Sequence, residues 1–445
     1  MPAIPSSLGL RRLAAVVFAL AALPVFAQDP KTGATPAKEP PTSWIDPDTG
    51  HRVIRLTREP GSSSFYFNDN CFTPDGREMV YNTRAGISVL TLATLQARAV
   101  VAGPARTIVV GHKTPTIYYT KRTAEPAVSA LWCTNVDTGE TRKIADLPRR
   151  ASVSAINADE TLAGGTYLDG DATAPGEYGG GGRQQAAGGN GMQSPDKFKM
   201  MAQRLDAKLP NSMFTLDLRT GRLTVILQNT DWLNHLQFSP TDPTLLMYCH
   251  EGPWQRVDRI WTIRTDGTQN QPVHPRIMEM EQYGHEWWSQ DGKNIWYDLR
   301  MPEGVLSYIA GRNLETGERT WLLVDRNAWS IHYNSSPDGT LFCGDGADAP
   351  PAWWATTANK WIYLFHPEPV KNDRTLGTNL IHGGVVRAER LVNMSKHIYM
   401  LEPNPFFTPD QRLVIFVSNM FGPNYVFGVE VARAGAATAA DGPPP

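Results

Sequence analysis

Three histidines stand just upstream of a short turn motif that recurs along the chain: His235 in "NHLQFSP", His285 in "GHEWWSQDG" and His332 in "SIHYNSSPDG". A fourth, His397, precedes the last copy of that turn in "HIYMLEPNPFFTPD", followed by Glu402 and Asn404. Glu402 and Asn404 alternate along an extended segment and so share a face, and Pro403 between them stiffens it. Imidazole, carboxylate and amide groups at matching positions of a repeat suit a metal site or an acid–base site, provided the repeat turns them toward one centre. A lone histidine beside a turn is more often a hydrogen-bonded structural residue. The recurrence is what argues for chemistry.

The elements that must position these groups are short and numerous. "FTPDG" at 72, "HKTPT" at 112, "INADE" at 156, "FSPTDP" at 238, "WSQDG" at 288, "SSPDG" at 335 and "FTPDQ" at 407 are variants of one turn, most of them followed by a strand such as "NIWYDLR" or "RLVIFVS". Proline presets the first turn dihedral, aspartate bonds back to the backbone and glycine takes positive φ. Strand–turn–strand units such as "LWCTNVDTGETRKI" and "MFTLDLRTGRLTVI" run alongside. Both signals count to seven, which predicts an all-β fold: a seven-bladed β-propeller of four-stranded blades. The last unit lacks an outer strand, and "HRVIRLT" at 51–57 is expected to supply it and close the ring. A β-sandwich is the alternative architecture. Equivalent positions in successive blades face one axis, so the histidines are expected to converge.

Composition bounds the partners. The chain has 445 residues with a formal net charge of −2, which gives no electrostatic case for nucleic acid. Arg11 and Arg12 precede the apolar run "LAAVVFALAAL" and a small-residue site at "VFA", which reads as a signal peptide over 1–27. Export to the periplasm or medium follows, with no membrane span in the mature chain. Residues 28–43 read as a flexible linker, 44–433 as the β domain and 434–445 as a tail. An insertion at 168–209 begins Gly-rich and ends in a helix, with Ser194 as cap and Pro195 in the first turn. Cys71, Cys133, Cys249 and Cys343 are widely spaced in apolar runs and read as buried thiols rather than metal ligands.

The stretches "DWLNHLQFSPTDPTLLMYCHEGPWQRVDRIWTIRTDG", "GHEWWSQDG" and "LFCGDGADAP" resemble the oligogalacturonate lyases, which are built on seven-bladed propellers. The resemblance implies a base at His285, an assisting arginine at Arg259 and a metal ligand at His332. It also implies a manganese ion held, besides that histidine, by a glutamine and two histidines before the final turn. Here those three positions carry Tyr399, Glu402 and Asn404, and His397 lies two residues upstream of Tyr399. A set of histidine, Glu402 and Asn404 suits Mn²⁺, with Ca²⁺ as the alternative.

The implied reaction is β-elimination on an acidic oligosaccharide. A base removes the C5 proton of a uronate while a cation neutralises the adjacent carboxylate. His285 is the expected base, Arg259 the charge stabiliser, and His332, Glu402, Asn404 and His397 the metal set. Trp254 and Trp287 are expected to offer flat surfaces to sugar rings, beside His250, Tyr399 and His235. The opposing class is an exported propeller that only binds or scaffolds. A glycoside hydrolase shows no visible pair of carboxylates.

Overall fold

The structure is a computed structural model that describes residues 39–170, 195–348, 359–371 and 380–435. The expected signal segment, the linker up to residue 38, the Gly-rich stretch 171–194 and the tail from 436 lie outside the described residues.

Four of the seven turns share one hydrogen-bond scheme. In the copies at Asp75, Asp291, Asp338 and Asp410 the aspartate Oδ1 accepts from a hydroxyl two residues before it and from a backbone N–H two residues after. Thr73 and Arg77 donate to Asp75 at 2.7 and 3.0 Å, Ser289 and Lys293 to Asp291 at 2.6 and 3.1 Å, and Ser336 and Thr340 to Asp338 at 2.7 and 3.0 Å. The residue after each aspartate is left-handed. Glycine takes this conformation without a Cβ clash at Gly76, Gly292 and Gly339, and Gln411 replaces it in the last copy at φ +60°. These turns need no tertiary contact to form, which is why they are legible in the sequence.

The regular elements among the described residues are strands, apart from the helix Pro195–Asp206 and two three-residue 3₁₀ turns. The helix stops three residues short of the expected Leu209. The strands form six sheets. Three of them are four-stranded antiparallel meanders, and one is three-stranded. An eight-stranded sheet consists of two antiparallel halves joined by parallel pairing of Arg319–Val324 with Ile381–Asn393. This fusion is not expected from the sequence. It arises because Ile381–Asn393 is thirteen residues long and overruns its own hairpin partner.

The strand His51–Arg55 pairs antiparallel with the C-terminal strand Tyr425–Arg433, Val53 opposite Val429, as expected, and the short strand Ser43–Ile45 adds outside it. Apolar clusters join each sheet, or half of the eight-stranded sheet, to the next. Tyr118 and Leu131 meet Val153 and Phe214, Met213 meets Leu246 and Tyr248, and Met247 meets Tyr283 and Tyr297. Trp287 and Leu322 meet Phe342 and Phe365; Ile362 and Leu364 meet Val414 and Phe427; Ile415 and Val417 meet Met79 and Tyr81. The last of these contacts returns the succession to the first sheet. No disulfide joins any of the four cysteines; Cys71, Cys249 and Cys343 are buried and Cys133 is partly so.

Candidate active site

The leading strands of two sheets are broken by β-bulges where the candidate histidines sit. Pairing shifts register between Asn234 and Gln237 and between Gly284 and Trp287. His235 and His285 occupy these interruptions with left-handed backbones, φ +51° and +45°, and Asn404 has φ +51°. A left-handed side-chain-bearing residue costs roughly 1–2 kcal/mol. A bulge re-aims the side chain it carries, and strain of this kind gathers at functional positions. The second bulge is pinned through Glu286, whose carbonyl accepts from Asn68 Nδ2 at 2.8 Å and Gln237 Nε2 at 3.0 Å.

Two charged groups surround the Trp254 ring. In the first, Arg259 is almost completely buried, with Nη1 2.5 Å from Glu251 Oε1 and Nε 3.3 Å from Glu286 Oε2. His235 spans the same two carboxylates, Nε2 3.2 Å from Glu251 and Nδ1 3.7 Å from Glu286. Burial would raise the Glu251 pKa, but Arg259 and His235 hold it well below the usual carboxylate range. In the second group, His285 Nδ1 lies 3.5 Å from Asp298 Oδ1, and Arg300 Nη2 lies 3.2 Å from Asp298 Oδ2. Trp254 joins the two: its ring lies 4.9 Å from the His285 ring, 5.0 Å from the Arg259 guanidinium and 4.9 Å from that of Arg300. Gly284 makes this approach possible. A Cβ there would sit 2.9 Å from both Trp254 and Arg259 Nε.

The His285 ring packs 4.6 Å from that of His332. Burial, then the charge of His332 when it is protonated, then those of Arg300 and Arg259, push the His285 pKa well below its ordinary value. His285 is therefore a neutral imidazole, the form a base requires. Burial lifts the carboxyl of Asp298 to about 6, with Arg300 and Arg259 opposing that rise. Tyr66 and Phe67 reach in from the first sheet's approach segment. Their rings lie 5.3 and 5.0 Å from the His332 ring and enclose it.

The donors around His332 fit a cation. Its Nδ1 bonds Asp345 Oδ2 at 2.7 Å, which leaves Nε2 as the nitrogen that could ligate. That Nε2 is buried without a hydrogen-bond partner, and Glu402 Oε2 lies 3.8 Å from it. Asn404 Oδ1 is likewise buried and unpartnered, while its Nδ2 donates to the Glu402 carbonyl at 2.9 Å. Imidazole, carboxylate and amide oxygen together suit a divalent ion of intermediate hardness. His235, Cys249 and Glu251 also bring ligand atoms within 4.8 Å of one another. There Glu251 already carries Arg259, so the His332 group is the better fit.

The remaining expected residues lie apart from these groups. His397 bonds Ser418 Oγ at 3.0 Å through Nδ1 and the Leu401 carbonyl at 2.7 Å through Nε2, so neither nitrogen is free to ligate. Tyr399 donates its hydroxyl to the Asp345 carbonyl at 2.6 Å, bracing the segment behind His332. Trp287 is 1% exposed and packs between sheets, its Nε1 on Ser335 Oγ. His250 faces away from Glu251, onto Asp231 at 3.0 Å and the Trp261 ring. Sequence reasoning missed Asp298 and Arg300. Their signal is two charges alternating on one face of the otherwise apolar "NIWYDLRM".

Comparison with known proteins places the chain among relatives of one kind. An oligogalacturonide lyase of Pectobacterium atrosepticum is 32% identical over 216 residues, which span 47% of this chain and only about half, 53%, of that relative. An oligogalacturonate lyase of Dickeya dadantii is 25% identical over 400 residues, 85% of this chain and 93% of that protein. A solved oligogalacturonate lyase in complex with manganese superposes with a TM-score of 0.67 at 24% identity, covering 88% of this chain and 96% of that one, and shares the fold. A solved oligogalacturonate lyase from Vibrio parahaemolyticus gives the same figures. The oligogalacturonate lyase family model matches residues 198–434, more than half of the chain, and the chain belongs to that family.

Proposed function

We propose that this protein is a carbon–oxygen lyase that cleaves oligogalacturonate-like acidic oligosaccharides by β-elimination with His285 as the base. The observation that carries the reading is the neutral, buried imidazole of His285 against the His332 ring, with two guanidinium groups within reach through Trp254. The His285 imidazole accepts the C5 proton of a uronate. The C5–H electron pair becomes the C4=C5 double bond, and the C4–O pair leaves with the glycosidic oxygen, which takes a proton from water. Charge that builds on the uronate carboxylate during this step is met by the guanidinium groups beside Trp254.

His332, Glu402 and Asn404 would hold a divalent ion, Mn²⁺ in the first instance and Ca²⁺ as the alternative. When bound, that ion supplies Lewis-acid neutralisation of the substrate carboxylate. The manganese in the solved relative and the unpartnered donor atoms here support the metal. The cyclic succession of apolar clusters and the pairing of the terminal strands support reading the sheets as seven blades of a propeller. The charged N-terminal segment over 1–27 supports export.

The test is the full chain mixed with oligogalacturonate, with and without Mn²⁺, followed by the ultraviolet absorbance of the conjugated product. A lyase gives a rise that EDTA abolishes and that His285→Ala lacks. A protein that binds the oligosaccharide with no rise is a binding module, and the proposal fails.

A further inference from the structure

His285 alone does not determine which of its ring nitrogens is basic. A neutral imidazole carries its proton on one nitrogen and offers the lone pair of the other, and a neighbouring acceptor decides which. The neighbour here is on the adjacent strand. Asn294–Met301 pairs with Gln282–Trp288 and sets Asp298 opposite Gly284, immediately before the bulge that carries His285.

Asp298 is 1% exposed; Arg300 pairs with its Oδ2, and its Oδ1 closes no hydrogen bond. His285 Nδ1 is also enclosed without a partner. These unsatisfied groups face each other at 3.5 Å. An enclosed polar group left unpaired costs about 1–3 kcal/mol, so a fold that keeps two of them in register needs a reason. Catalytic hydrogen bonds are often long before substrate binds and tighten when it does. Arg300 supplies the opposite charge, 3.2 Å from Asp298 Oδ2, and is itself held against the Trp254 and Trp329 rings at 4.9 and 5.4 Å. Arg300 and Asp298 lie two residues apart in one strand, so the pair is preset by strand geometry.

We propose that Asp298 is a positioning residue for His285: it accepts the Nδ1 proton, fixes the ring's orientation and leaves Nε2 as the nitrogen that takes the substrate proton, with Arg300 holding Asp298 in place. The proposal rests on the reading of His285 as the base. Asp298 touches no substrate in it. Its effect passes entirely through the imidazole.

The experiment compares the full-chain wild type with Asp298→Asn, Asp298→Glu and His285→Ala. It reads turnover of oligogalacturonate, metal content and the ¹⁵N resonances of histidine-labelled protein. In the wild type His285 shows a protonated Nδ1 and a free Nε2. Asp298→Asn lowers kcat by about 10²- to 10⁴-fold, leaves KM within roughly threefold, and changes or mixes the His285 tautomer. Metal content stays at the wild-type level, and Asp298→Glu recovers part of kcat. The proposal is overturned if Asp298→Asn turns over within roughly threefold of wild type while His285→Ala is inactive. Loss of the metal in Asp298→Asn also overturns it, because Asp298 is then a ligand. Turnover that survives in His285→Ala removes the base itself and this proposal with it. Should Asp298→Asn fail to fold, the wild-type spectrum still decides: a protonated Nε2 on His285 rules the assignment out.

Discussion

Asp345 grips His332 twice: its Oδ1 accepts the backbone N–H at 2.8 Å and its Oδ2 meets ring Nδ1 at 2.7 Å. Backbone and ring are fixed together by one carboxylate, so Nε2 has a single direction. A carboxylate behind a ligating histidine orients the ring and raises its basicity. Asp345→Asn is therefore expected to weaken Mn²⁺ binding by about 10- to 100-fold, measured by titration calorimetry, with little change in melting temperature once metal is saturating. His332→Ala should abolish stoichiometric metal. Equal metal affinity in the Asp345 variant would separate the pair from metal binding.

Arg259 is predicted to matter for stability as well as for charge. It is buried between Glu251 and Glu286, and removing it leaves two carboxylates in the interior with only His235 between them. Breaking a buried pair by deleting one partner costs about 3–5 kcal/mol. Arg259→Met should lower the unfolding free energy in urea by that order. Activity lost in this variant must be corrected for the unfolded fraction before a catalytic role is assigned.

Gly284 is expected to tolerate no side chain. A Cβ there meets Trp254 and Arg259 at 2.9 Å, and Trp254 also touches His285 and Arg300. Overpacking of this kind costs about 1–3 kcal/mol. Gly284→Ala should lower kcat by displacing Trp254, and tryptophan fluorescence should shift with it. Unchanged kcat would show that Trp254 has room to move.

The folded protein should lose stability in mild acid through His397. Burial lowers its pKa from 6.5 to about 4, so the folded state keeps it neutral while the unfolded chain protonates it. The contribution is complete above pH 6.5, falls as the pH drops through the window down to about 4, and levels off below. Its size is on the order of 3 kcal/mol. His397→Asn should flatten this part of the stability–pH curve in denaturant titrations at neutral and acid pH. An unchanged curve would place the acid sensitivity elsewhere.

Local chemistry was readable from the chain alone. The Asp-centred turns, the Thr-Gly hairpins and the N-terminal strand that pairs with the last sheet depend on hydrogen bonds within a few residues or on simple alternation, and the structure contains them. The clustering of His285 with His332 was also foreseeable, because both precede the same turn in successive units. Tertiary structure decided which nitrogens remain available. His397 and His332 look alike in sequence, but Ser418 and the Leu401 carbonyl use both nitrogens of the first, while Asp345 uses only one of the second. It also brought Asp298 and Arg300 beside His285, since a bulge at Gly284–Trp287 sets the facing register and no local pattern specifies which cross-strand neighbour a displaced side chain will meet.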